Sequence, residues 1–190
     1  MRLQDRLPDS VKVGKKKYKL DLDFRNVLDM MDIMARDDLL PEARSYLALK
    51  CVLKRPPKGC GIVLDEVRKL LFGASRPADG KRITDFQQDA DLIRAAFRQV
   101  YGINLFTDKV HWLEFTVLLA NLPEGNRYSE ILGIRARPMP KATKYNMEER
   151  QWLAKAKAAY ALKVNAEEAQ ENYQKGVHDL FLALKGMTKR

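Results

Sequence analysis

Residues 108–122 read DKVHWLEFTVLLANL, and Pro123 follows, a residue that cannot continue a helix. Val110, Trp112, Leu113, Phe115, Val117, Leu118, Leu119 and Leu122 leave such a helix almost no polar surface. His111, Glu114 and Asn121 fall at spacings of three and seven, which places them on one narrow stripe. A helix that is apolar nearly all round is a buried helix. It is also too short for a bilayer, which needs ~20 apolar residues. The segment is therefore expected to lie at the centre of a soluble core.

The segments around it carry recognisable local signals. Val11 and Val13 alternate with polar residues, as do Tyr18, Leu20 and Leu22, and Gly14 stands between the two runs. That pattern predicts a small β-hairpin with a lysine-rich tip, its apolar side laid on helices. The KKKYK run is read as an exposed turn or a protected strand edge in preference to a nucleic-acid patch. Asp23 is placed as the N-cap of a helix carrying Phe24, Val27, Leu28, Met31 and Met34 on one face, with Leu22 and Val27 as a hydrophobic staple. Pro41 suits the first turn of a second helix, which Pro56 and Pro57 stop. A third carries Val63, Val67, Leu70 and Leu71 and ends at Gly73.

Thr84 and Gln87 form a capping-box pattern ahead of a helix with Phe86, Ala90, Ile93, Phe97 and Val100 inward. Asp85, Asp89 and Asp91 spread around that helix and are read as helix-start charges, not metal ligands. Tyr128, Ile131, Leu132 and Ile134 suggest a further short helix, and Arg135, Arg137, Pro138 and Pro140 mark a linker. Asn146 and Asn165 look like the N-caps of two last helices.

Charge divides the chain unevenly. The net charge is +10, yet residues 24–134 carry sixteen basic and fifteen acidic side chains, while residues 135–190 carry twelve and six. The expected division is a near-neutral domain over residues 1–135 and a basic linker with helices over residues 136–190. The N-terminus has no apolar signal core, so neither export nor membrane insertion is expected. Cys51 and Cys60 are the only cysteines, form no C-x-x-C pair, and are expected to be reduced. Gly73 to Gly80-Lys81 departs from a phosphate loop in spacing, and Arg82 replaces the required Ser or Thr. His111-Trp112 lacks a linked nucleophile or orienting acid, so Trp112 is read as core and His111 as part of the polar stripe. No catalytic, cofactor-binding or metal-binding residue is assigned.

RLPDSVKVGKKKYKLDLDFR resembles the opening of a family of tailed-phage proteins usually labelled gp-fifteen. The likeness continues through Asp23-Phe24-Arg25, then Phe86, Asp89, Ile93 and Phe97, then Tyr101-Gly102-Ile103-Asn104-Leu105. It passes through His111-Trp112 and Phe115 and closes near Ile131, Ile134 and Arg135. Asn104 stands where relatives often have Asp. The resemblance implies a protein encoded among phage or prophage tail genes and working in the host bacterial cytoplasm. Its role would be that of a non-enzymatic tail assembly chaperone for tape-measure or tail-tube subunits. A structural subunit retained in the tail, and a basic nucleic-acid-binding helical protein, are the alternative readings. A homo-oligomer stays open.

The expected fold class is mainly α: a compact multi-helix domain with a small N-terminal β-hairpin and a C-terminal helical extension. The surface expected to contact a tail protein is the stripe Ala169, Tyr173, Val177, Leu180 and Leu184. Basic flanks such as Lys163, Lys175 and Lys185 would favour an acidic client.

Overall fold

Gly14 sits at φ 58, a conformation that favours glycine, and it opens the two-residue loop between strands β1 (Ser10–Val13) and β2 (Lys16–Lys19). The strands pair antiparallel with Val11 opposite Tyr18 and Val13 opposite Lys16. The structure is a computed structural model that describes residues 2, 4–73 and 82–163. Seven helices follow the hairpin among the described residues: α1 (Phe24–Met34), α2 (Pro41–Val52), α3 (Cys60–Phe72), α4 (Ala90–Tyr101), α5 (Trp112–Ala120), α6 (Arg127–Ala136) and α7 (Met147–Ala159). The protein is mainly α, with the expected hairpin.

The chain divides into two units, and two of the three division points fall inside α4 and α6. The first unit comprises Met1–Gly80 and Leu92–Ser129. In it α1 packs on α2, α2 on α3, α3 against β1, and α1 also meets α5. Its centre is a group of rings about Phe115. Phe24 stacks on Phe115 at a centroid distance of 4.8 Å, Phe97 at 5.2 Å and Trp112 at 5.8 Å. Phe72 meets Trp112 edge-on at 5.9 Å. Such ring pairs add to the free energy of area burial. The Tyr101 hydroxyl donates to the Leu118 carbonyl at 2.9 Å, which ties α4 to the end of α5.

Two expectations need correction here. The helix foreseen over residues 108–122 is α5, which starts only at Trp112 and ends at Ala120. Trp112 and Phe115 are buried as expected, but Val117 is 60% exposed and Glu114 and Ala120 are exposed. The reason lies upstream. The backbone around residues 110–112 pairs with the segment around Asp23, which holds it extended. The Asp108 carboxylate, accepting from the Asn104 N–H and the Thr107 hydroxyl, fixes a turn before it. The buried face of α1 is Phe24, Val27 and Met30; Leu28, Met31 and Met34 are half-buried. The cap at Asp23 and the glycine end of α3 are as read, Asp23 accepting from the Arg25 N–H and Gly73 donating to the Lys69 carbonyl.

The second unit comprises Lys81–Asp91 and Glu130–Arg190. Helix α4 begins at Ala90, after a turn in this unit in which the Asp85 carboxylate accepts from the N–H groups of Gln88 and Gln87. Those bonds hold the Asp85 carboxyl below the usual carboxylate range. Helix α6 runs through Arg135 to Ala136, so the residue read as the first of a linker is helical. Leu153 of α7 is fully buried, while Trp152 beside it is exposed.

Candidate functional site

Asp23 and His111 each stand immediately before a helix, and their backbones form an antiparallel bridge. The N–H of Phe24 donates to the Val110 carbonyl at 2.9 Å, and the N–H of Trp112 donates to the Leu22 carbonyl at 2.8 Å. First-turn amides have no partner within their own helix, so the starts of α1 and α5 satisfy each other. The side chains complete the arrangement. Asp23 Oδ1 accepts from the Arg25 N–H at 3.0 Å, and His111 Nδ1 accepts from the Leu113 N–H at 3.2 Å. With Nδ1 accepting, the hydrogen-bond network places the ring proton on Nε2, which donates to the Pro8 carbonyl at 3.0 Å. Arg25 lies against both Asp23 oxygens at 3.1 Å and donates to the carbonyls of Leu105 and Asp108.

His111 is therefore a helix cap, not part of a polar stripe. Both its nitrogens are engaged by backbone, which leaves neither to serve as a general base. His111→Ala is expected to lower stability by about 1 kcal/mol, the usual cost of a lost N-cap. An unchanged urea midpoint for that variant would contradict the capping role.

Asp89 and Arg135 form a second network, in the other unit. Asp89 is 1% exposed and Arg135 is 9% exposed. The guanidinium grips the carboxylate through two bonds of 2.7 and 2.8 Å. Arg135 also donates to the carbonyls of Ile83 at 3.0 Å and Tyr160 at 2.6 Å, and Asp89 accepts from the Asp85 N–H at 2.9 Å. A buried charge pair persists only with this degree of satisfaction. The reading of Asp89 as a helix-start charge is overturned: it is a buried anchor whose partner lies forty-six residues away.

The cysteines are free. Burial pushes the Cys51 thiol up from its ordinary value, with the Asp29 charge adding to the effect, so Cys51 is poorly suited to nucleophilic work. Among the described residues no group of three or more His, Cys, Asp or Glu is placed to hold a metal ion.

A family model described as Bacteriophage Gp15 protein matches residues 3–162. The chain belongs to that family. No curated protein and no solved structure matches it. Of the polar residues that carried the resemblance in this phage protein, Asp23, Arg25, Asp89, His111 and Arg135 fall in the two networks just described. Its aromatic residues Phe24, Phe97, Trp112 and Phe115 form the ring cluster. These matched residues thus serve the scaffold of the fold.

Two surface features of the phage protein stand out. Tyr145 is 97% exposed, Met147 65% and Trp152 55%, all near or on α7. Aromatic and methionine side chains are enriched at protein contact surfaces. In the first unit, Lys17, Lys19, Lys50, Lys54, Arg55 and Lys109 gather around a cleft of about 800 Å³. The KKKYK run, read as an exposed turn or a protected strand edge, contributes one wall. The cleft was not visible in the sequence because its walls come from three separate segments. The expected contact stripe Ala169, Tyr173, Val177, Leu180 and Leu184 lies outside the described residues, as does the helix foreseen after Asn165. No helix among the described residues is long and apolar enough to cross a membrane.

Proposed function

We propose that this phage protein is a non-enzymatic tail assembly chaperone that holds tape-measure or tail-tube subunits until the tail polymerises. Membership of the phage family supports the setting. The observation that carries the chaperone reading is the exposure of Tyr145, Met147 and Trp152, which leaves residue types favoured at protein contacts open to a client. The stripe Ala169, Tyr173, Val177, Leu180 and Leu184 offers further anchors at helical spacing and is proposed as part of the same contact surface.

Co-expression with the tape-measure and tube proteins encoded beside it, followed by pull-down, tests this reading. The full chain should capture one of them. Trp152→Ser with Met147→Ser should reduce capture at least about tenfold, since exposed aromatic anchors dominate such interfaces. Deletion of residues 165–190 separates the contribution of the tail: intact capture by the shortened chain would remove the stripe from the contact surface. Failure of the full chain to capture either client overturns the proposal.

A further inference from the structure

The basic cleft of the first unit lies along the open side of β2. Leu20 donates its N–H to Asp9, across the hairpin. Hydrogen bonding alternates along an antiparallel strand, so Lys16, Tyr18 and Leu20 face β1 while the peptide groups of Lys17 and Lys19 face the other way. Asp21 shares the outward set, and its N–H donates to the Val52 carbonyl at 2.9 Å. Leu53 then continues in extended conformation, at φ −136 and ψ 122. The edge of β2 is thus partnered at one end by the chain leaving α2. Among the described residues no third strand pairs with it.

The side chains around this edge are of one character. The rim carries six cationic groups against the single carboxylate of Asp21, and none of the six forms an ion pair within the described residues. The apolar part of the lining is half-buried Tyr18 with Leu20, Val52 and Leu53, which are buried. An extended peptide in this position would exchange main-chain hydrogen bonds with Lys17 and Lys19. It would send alternate side chains to the cationic rim and to the apolar part of the lining. A nucleic acid matches less well, because an open strand edge presents carbonyl acceptors as well as donors, and phosphate has no hydrogen to give them.

We propose that this cleft receives an extended acidic segment of a partner protein as a third strand on the free edge of β2. The proposal rests on the reading of the chain as a binding protein for tail components, and it names the chemistry of one segment that such a component would carry.

The probe is a fluorescent, end-blocked peptide of alternating Glu and Val, titrated against the full chain by anisotropy at low and high salt. Binding should weaken at high salt, as screening of a basic rim requires. The paired change Lys17→Glu and Lys54→Glu should weaken it at least about tenfold, with an unchanged circular dichroism spectrum to show that the fold persists. A peptide N-methylated on its Glu residues and one N-methylated on its Val residues test strand addition without altering the protein. Only one of the two should lose binding, because only one set of amides faces β2. Equal binding by both methylated peptides, or a charge-reversed protein that binds as well as the parent, overturns the proposal. So does an oligothymidine of equal charge that binds at least tenfold more tightly than the peptide. The client pull-down is read separately. Capture of a tail subunit by the charge-reversed variant as strongly as by the parent removes the cleft and leaves the chaperone reading standing. Peptide binding with no capture of either subunit removes the chaperone reading and leaves the cleft.

Discussion

Arg135→Met is expected to destabilise the protein by about 3–5 kcal/mol, the cost of leaving a buried charge without its partner. Methionine keeps much of the length of the arginine stem, so the loss comes chiefly from the carboxylate of Asp89, which would keep only the Asp85 N–H as a described partner. The carbonyls of Ile83 and Tyr160 lose their donor in the same change. Asp89→Leu should cost a similar amount by stranding the guanidinium. The double variant should cost far less than the sum, because two apolar side chains of similar volume need no partner. Urea unfolding of the three variants measures this coupling. Additive effects, or single changes within about 0.5 kcal/mol of the parent, would show that the pair is solvated and not an anchor.

Trp112→Ala is expected to cost about 3–5 kcal/mol as well, through a different mechanism. Trp112 is 3% exposed and touches the rings of Phe115 and Phe72. Its removal leaves a cavity where three aromatic side chains met, at the first residue of α5. Trp112→Phe should recover most of the loss, because a ring still fills part of the space. A melting temperature for Trp112→Ala equal to that of the parent would remove α5 from the centre of the first unit.

Features set by short-range interactions were legible in the sequence, and those set by long-range interactions were not. The hairpin, the cap at Asp23, Pro41 at the start of α2 and Gly73 at the end of α3 were all legible. Each is set by a signal within a few residues, such as a glycine at positive φ or a side chain bonding two residues on. The burial of Trp112 was legible from composition. The start of α5 was not, because residues 110–112 are held by a segment some ninety residues earlier in the chain, and periodicity carries no trace of that bond. Asp89 has the sequence setting of any acidic residue at a helix start, because its partner Arg135 lies forty-six residues away. The basic cleft escaped for the same reason: lysines at 17, 50 and 109 become neighbours only when β2, the end of α2 and the turn before α5 come together. The family resemblance did hold the missing signal, since it passed through Asp89, His111 and Arg135, but it gave no physical role for them.

The boundary near residue 135, with residues 1–135 as one domain and residues 136–190 as another, remains our proposal for how the chain works. Residues 138–146 are non-helical, and all but Pro140 and Asn146 are exposed, with Lys141 and Lys144 accessible to trypsin. Trypsin is expected to cut there first, and early cutting within residues 24–73 instead would argue against the proposed domain organisation.

The most direct measurement of the central claim is the abundance of this protein in purified, mature phage particles and in the lysate from which they came. Quantitative mass spectrometry of both fractions gives it. An assembly chaperone leaves its clients when the tail polymerises, so the protein should be plentiful in the lysate and absent from the particles. A fixed number of copies per particle, comparable with the tail-tube or tape-measure subunits, would contradict the chaperone account and make the protein a structural part of the tail.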